Sequence, residues 1–391
     1  MAATQKGVWD VQDVRDKQLA SEWDYDGAKN LYMVGVGNEG SMGNNLGSSY
    51  RSSPVQIPGS WKTISGSYRN TAGVKSDGTL WSWGYNQEGS AGQNNRTAYS
   101  SPVQVGTDTD WNNCLMATQH ACYATKTDGT MWSWGENNDG ILGHNNQTKY
   151  SSPVQVGTDA TWDGAHGKLS GGHKSVGCIK TDGTLWRWGA NEYGQLGHND
   201  TTQYSSPRQV PGTWTYFSGG HYSALQIKAG ELYFTGWGER YANGIGSQTN
   251  YSSPRQVPGS PGAGPFGTVT KCASMEKGTG FVINTDGELF SWGYNANGQC
   301  GKNTGSPTPQ YYSPQQVAGT TWSHVETART ATYAQKTDGT LWAWGNNFQG
   351  YLGQNNQTYQ SSPIQIGTGT SWELDRTKSY WTGAMGLIEI Q

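Results

Sequence analysis

Charge is scarce in this 391-residue chain. Asp, Glu, Lys and Arg together make up 14%, and the formal net charge is -3. Nucleic-acid binding needs a basic face that displaces counterions from phosphates, so this balance argues against a nucleic-acid partner. No apolar run approaches the ~18 residues of a membrane-spanning helix, and no membrane insertion is expected. Met1 to Lys6 leads into Gly7-Val8-Trp9-Asp10 without an apolar stretch before a small-residue cleavage site, so no export signal is expected. Cysteine is sparse too. Cys114, Cys122, Cys178, Cys272 and Cys300 are odd in number and form no Cys-x-x-Cys pair. They read as buried thiols of a reducing compartment, although Cys114 and Cys122 could face each other on neighbouring strands and pair.

What is plentiful is Gly, at 57, with 19 Trp and 22 Tyr. Aromatics set among Gly, Asn, Ser and Thr read as short strands joined by tight turns. The pattern repeats. Leu80-Trp81-Ser82-Trp83-Gly84 returns from Met131, Leu185, Leu289 and Leu341, and in weaker form from Leu31 and Leu232. A second marker, Ser-Pro before a Gln-containing strand, recurs at Pro54, Pro102, Pro153, Pro207, Pro254, Pro314 and Pro363. Two markers with one count and a period near 50 residues predict an all-β fold, a seven-bladed β-propeller of four-stranded antiparallel blades. Strand a starts near Trp61, Trp111, Trp162, Trp214, Phe266, Trp322 or Trp372. Strand b runs into an Asp-Gly turn, read as the two-residue hairpin with positive φ at both residues. Strand c is the aromatic one, and strand d follows a long loop. The chain ends supply strands c and d at the N-terminus and a and b at the C-terminus, predicting a mixed N/C-terminal blade that closes the ring. The expected organisation is a short N-terminal arm, residues 1–27, and a propeller, residues 28–391.

Trp-Gly-x-Asn-x-x-Gly-x-x-Gly stands at Trp134, Trp188 and Trp344. With the downstream Ser-Pro it resembles the repeat of the regulator of chromosome condensation family, over nearly the whole of residues 28–390. The resemblance implies the propeller and leaves function open. Such proteins include a nucleotide-exchange factor on chromatin, a plant UV-B photoreceptor and a secreted inhibitor of β-lactamases. The basic character of the first and the export signal of the third are lacking, and of the second's Gly-Trp-Arg-His-Thr motif only Trp186-Arg187 is present. The arm, Gly7-Val8-Trp9-Asp10-Val11 through Trp23, resembles the openings of structural proteins of tailed phages, and the Ser-Ser-Pro-Val-Gln repeats resemble phage reading frames.

Most conspicuous residues have a structural explanation. Paired Trp side chains fill the wedge between blades. The loop Gly and Asn residues serve repeated turns, as do Asn95, Asn146, Asn199, Asn250 and Asn356 in their Asn-x-Ser/Thr sequences. His173 and His221 share one repeat position but lack a third metal ligand. No acid–base pair or nucleophile grouping stands out, so no catalytic residue, metal or cofactor is assigned. Function is sought where the repeat breaks: the arm, the loop Gly236 to Asn250, and the insertions Ser260 to Phe266 and Asn303 to Tyr312. In the arm, a helix from Val11 to Trp23 capped by Asp10 would present Val11, Val14, Leu19 and Trp23 beside Val8 and Trp9. In the loop, Glu239, Arg240 and Tyr241 replace the usual residues. These nine are the candidate partner-binding residues. The a–b and c–d loops share one face, the larger adaptable surface. The expected function is a non-enzymatic virion component of a tailed phage (tail, fibre, neck appendage or head decoration). Its arm would bind other virion proteins and its loop face a host surface protein or glycan. The alternative is a soluble protein-binding scaffold or inhibitor of the same repeat family.

Overall fold

The computed structural model describes residues 29–67, 69–117, 120–258, 266–274, 278–304, 310–328, 330–374, 377–379 and 384–390. Regular structure among them is β-strand, apart from the 3-10 turns Asn38–Gly40 and Glu239–Tyr241. The fold is an all-β propeller, and its blade count corrects the expectation. Five sheets are separate and four-stranded, with inner strands Trp111–Ala117, Leu169–Gly171, Tyr216–Gly219, Val269–Ser274 and Trp322–Ala328. The remaining strands form one continuous eight-stranded sheet, so seven separate four-stranded blades are not observed.

The fusion runs through a single long strand. Strand Ser49–Gly66 pairs with Lys29–Gly37 through its first part and with Asn70–Lys75 through its second. Only Pro58-Gly59-Ser60 lies between Ile57 and Trp61, whereas Gly106 to Asp110 separate Val105 from Trp111. Here the backbone runs on as one strand, although Pro211-Gly212-Thr213, a connector of the same length between Val210 and Trp214, leaves its two sheets separate. The chain ends meet in this sheet: Ala384–Ile390 pairs antiparallel with Lys29–Gly37, from Lys29 opposite Ile390 to Gly35 opposite Ala384. Thr377–Ser379 pairs in parallel with Ile64 to Gly66.

Contacts between successive sheets explain the repeat motif. Trp83, Trp134, Trp188, Trp292 and Trp344 are almost fully buried. Each donates its indole N–H to a loop carbonyl of the preceding repeat: Ser41, Ser90, Ile141, Ala242 and Gln299, at 2.6 to 2.9 Å. A buried indole can therefore fill the wedge without an unpaired donor. The loop is held in shape by its Asn. Asn137 accepts from Leu142 N at 2.9 Å and donates to Thr148 O at 2.8 Å, and Asn86, Asn191 and Asn347 accept from the matching backbone N–H. Glycine is required where the loop meets its neighbour: at Gly143 a Cβ would lie 2.9 Å from the Trp188 indole nitrogen, and at Gly140 it would lie 2.4 Å from Ser205 Cβ. The loop then donates a backbone N–H to the Ser-Ser-Pro strand of the next repeat. Asn145 to Ser205 O is 2.7 Å, and the series closes with Asn355 to Ser52 O at 2.6 Å.

Two further expectations are corrected. The Asp-Gly turns are not two-residue turns with both φ positive. Gly129 alone is left-handed, at φ 82, and Lys126 N donates to Thr130 O across a three-residue loop. The Asp128 carboxylate accepts from Thr130 N and Thr130 Oγ1, which fixes Asp128 at negative φ. Phe266 does not open strand a; Val269 opposite Asn284 occupies the place of Trp111 opposite Lys126. The Phe266 ring packs edge-on against Phe290 at 5.1 Å. All five cysteines are buried and free, Cys114 and Cys122 included.

One inter-sheet contact departs from the rule in a compensated way. Thr235 replaces the inter-sheet Trp, and Arg187 stands where Ser82 and Ser133 stand. Arg187 is 1% exposed. It crosses to donate to Thr235 Oγ1 at 2.9 Å and lies over the Phe217 ring. Thr235 in turn donates to Gln195 O at 3.2 Å, the bond a Trp makes elsewhere. The guanidinium thus fills volume that the smaller Thr leaves, and burial pulls its pKa down to about 9. Arg187→Ser should leave a cavity and Thr235→Trp should overpack, each costing about 1–3 kcal/mol. The double variant restores the usual pair, so urea denaturation should show a positive coupling of about 1–3 kcal/mol; simple additivity would contradict the compensation.

Candidate functional site

Of the residues proposed from sequence, Val8, Trp9, Val11, Val14, Leu19 and Trp23 lie outside the described residues, as do most of the two insertions. Glu239, Arg240 and Tyr241 are described and form a 3-10 turn. By the strand register, Tyr241 falls where other repeats have Gly140 or Gly194. It keeps the left-handed backbone, at φ 59, and Arg240 before it has φ 57. A non-Gly residue in this region costs of order 1–2 kcal/mol, and here two stand in sequence. The turn survives because Gly244 N still donates to Tyr241 O at 3.0 Å. The usual loop Asn is replaced by Gly238, whose N–H donates to Asn250 Oδ1, while Asn243 takes over the bond to Thr249 O.

Side chains around this turn form an aromatic arc on the a–b/c–d loop face. The Tyr241 ring lies 4.3 Å from Tyr312, which is 60% exposed. Arg240 sits over Tyr294 at 4.7 Å and Trp237 at 5.9 Å. Trp237 adjoins Tyr222, which stacks on His221 at 3.9 Å and meets Tyr193 at 4.9 Å. His173 and His221, placed together by the repeat, are 4.3 Å apart and nearly perpendicular. Among the described residues no three His, Cys, Asp or Glu side chains are grouped to hold a metal ion.

A second polar cluster was missed in the sequence. Cys114 follows Trp111 by three positions, whereas Leu169, its register equivalent, follows Trp162 by seven. The extra residues carry His166 into the centre of the ring. Its Nε2 lies 2.8 Å from Glu326 Oε1, on a strand far around the ring, and Nδ1 lies 3.2 Å from the Tyr216 hydroxyl. The adjoining cavity, about 30 Å³ and rimmed by Ser65, Ser170, Ser218, Ser274 and Thr327, admits little more than water. The group therefore ties inner strands across the channel rather than receiving a substrate. The lengthened interval after Trp162 was the signal that could have revealed it.

With this geometry in hand, the comparisons can be read. A family model described as the regulator of chromosome condensation (RCC1) repeat matches residues 128–162, 182–226 and 286–334, and a second model of the same description matches 61–90. The matched segments are similar to RCC1 repeats. It is 24% identical over 338 residues to the ultraviolet-B receptor UVR8 of Arabidopsis thaliana, covering 83% of this chain and 74% of the receptor. It is 25% identical over 319 residues to the E3 ubiquitin-protein ligase HERC2 of Homo sapiens, covering 77% of this chain but only 6% of the ligase. The fold matches that of Prp20p from Saccharomyces cerevisiae with a TM-score of 0.78 at 15% identity, over 94% of this chain and 92% of that one. The clasping loop recurs around this ring, so the left-handed Arg240-Tyr241 knuckle and its arc are what set one sector of the loop face apart.

Burial also makes this face pH-sensitive. Desolvation pulls His120 and His173 down to about 4 and His221 to about 3; His198, elsewhere in the ring, falls to about 4. Unfolded histidine titrates near 6.5, so between these values the unfolded chain binds more protons and stability rises with pH. His144 is lowered by burial too, and Glu136, raised by burial, acts in the opposite sense, one group against five. The stability from the histidines is full above about pH 6.5 and is lost as pH falls toward 4. The urea midpoint should fall steadily between pH 6.5 and 4.5, and His173→Asn/His221→Asn should flatten that slope. An unchanged slope would mean the pair is not held neutral by the fold.

Proposed function

We propose that this chain is a non-enzymatic binding propeller that docks a protein partner through the loop-face sector from Tyr193 to Tyr312. The observation that carries the reading is the Arg240-Tyr241 knuckle, where Tyr241 holds the left-handed backbone that glycine occupies in sister loops and Arg240 before it is left-handed as well. Strain kept at an exposed site calls for a use. The surrounding chemistry is that of interface anchors: Tyr, Trp and Arg supply large, rigid contact area at low entropy cost. That a propeller of this fold can serve as a protein-binding platform is supported by Prp20p, which binds Gsp1p and histones. The virion reading rests on the arm, outside the described residues, and on a resemblance that the relatives above do not share, so it is not carried further.

Tyr241→Gly tests strain against use. It should raise stability by about 1 kcal/mol, because the turn already accommodates Gly in sister repeats, while removing the partner contact. Contact is read by a photo-crosslinking benzoylphenylalanine placed at positions 241 and 312, in lysate of the cells that express the protein. The same discrete adduct should form from both, and none from positions 127 and 337, which are exposed on b–c turns of the opposite face. Equal adducts from both faces, or none from 241 and 312, would refute docking here.

A further inference from the structure

At three of the seven grooves between successive repeats, the side chain after the Gly-x-x-Gly loop caps the neighbouring strand; Asn44, His144, His198 and Ile245 stand at that position in the others. After the strand Leu80–Gly84, Gln93 reaches along the groove and donates to Gln104 O at 2.7 Å. Gln354 does the same to Gln365 O at 2.9 Å, and Lys302 donates to Gln316 O. Histidine stands at this position in the repeat that begins at Met131. His144 turns inward, with Nε2 2.9 Å from Ser133 Oγ of its own sheet and its ring edge-on to Tyr150 at 5.2 Å. Ser133 commits its hydroxyl proton to Leu142 O at 2.7 Å. His144 must therefore donate from Nε2, which leaves Nδ1 as an acceptor. The carbonyl matching those of Gln104 and Gln365 is that of Gln155, and among the described residues no side chain caps it.

The consequence is a cleft of about 360 Å³. Trp186, Pro207 and Val156 form its walls, and His144, Asp159 and Ser206 stand at its polar rim. The groove beside Gln93 carries the same fittings. Lys126 pairs with Asp108 at 2.6 Å and lies over Trp111 and Trp132, as Lys180 pairs with Asp159 at 2.7 Å over Trp162 and Trp186. Two substitutions separate the grooves: His144 for Gln93, and Thr161 for Asp110, which is a second partner of Lys126 at 3.1 Å. His198 also turns inward, onto Arg187 O at 3.3 Å. There the connector Pro211-Gly212-Thr213 is too short to supply a counterpart of Asp159.

We propose that this cleft binds the ring of a neutral sugar. Its volume lies within the range of small-ligand sites, which combine apolar walls with a few placed polar groups. The Trp186 and Pro207 walls suit the apolar face of a pyranose. Around them stand acceptors (Asp159 and His144 Nδ1) and the Ser206 hydroxyl, which both donates and accepts, as a ring of hydroxyls requires. Because Lys180 and Asp159 are paired with each other, the cleft presents no net charge, which selects against anionic and cationic ligands.

The test is saturation-transfer NMR on the full chain with glucose, galactose, mannose and N-acetylglucosamine, and with glucuronate and glucosamine as charged comparators. At least one neutral sugar should receive saturation. His144→Gln, which installs the residue that covers the sister groove, should reduce the transfer at least tenfold with Tm unchanged. Ser206→Phe, which fills the cleft from the opposite wall, should do the same. Gln93→His in the His144→Gln background should restore it by uncovering the sister groove. The proposal fails if no neutral sugar is saturated, if His144→Gln and Ser206→Phe both bind as the parent does, or if a charged comparator displaces the neutral sugar.

Discussion

The structure depends on a clasp between consecutive repeats. Five c–d loops reach over a neighbour, receive an indole N–H on one carbonyl and give a backbone N–H to the strand that carries Ser-Pro. The two bonds fix the angle and spacing at which one sheet meets the next. A net contribution of about 1 kcal/mol per bond is ordinary, but the alternative is a buried indole donor and a buried carbonyl both unpaired, and that asymmetry enforces the geometry. The backbone half of the clasp also joins Asn355 to Ser52, although Val34 stands where five repeats place the indole. The pairing of Ala384–Ile390 with Lys29–Gly37 adds a conventional strand ladder beside it.

Much of this was legible because the repeat writes each contact several times. The strands, their alternation, the meeting of the chain ends, and the structural roles of Trp, Asn and the loop glycines follow from periodicity alone. What was not legible lay in local detail. The strand Ser49–Gly66 fuses two expected blades into one eight-stranded sheet, while Tyr204–Thr213, ending in a connector of the same length, does not. An aspartate that captures the N–H two residues on turns a two-residue hairpin into a three-residue one. At Phe266, side-chain packing and strand register fall on different residues, and only the former is visible in composition. His166 was missed for the complementary reason: attention went to residues at shared repeat positions, and its inserted segment has no counterpart.

The Arg187–Thr235 pair shows how such a ring tolerates change. A lost indole is made good by a guanidinium from the sheet before it, across the same interface, with the loop carbonyl still satisfied. The local chemistry changes while the wedge volume and the hydrogen-bond count are kept. Repeats that meet only their neighbours can drift in this pairwise fashion without disturbing the remaining interfaces.

A ring of equal clasps has no preferred direction, so a binding site must come from a repeat that keeps the clasp and changes something that the clasp does not use. The Arg240-Tyr241 knuckle does this: Gly244 N still bonds Tyr241 O and Trp292 still donates to Ala242 O, while the two preceding side chains are turned outward at a cost in backbone strain. His144 does it as well, leaving Asn145 clasped to Ser205 while exposing a groove that Gln93 covers elsewhere. In both places the fold is indifferent to the substitution and the surface is not. That separation lets a scaffold dominated by interior tryptophan vary its exterior one loop at a time.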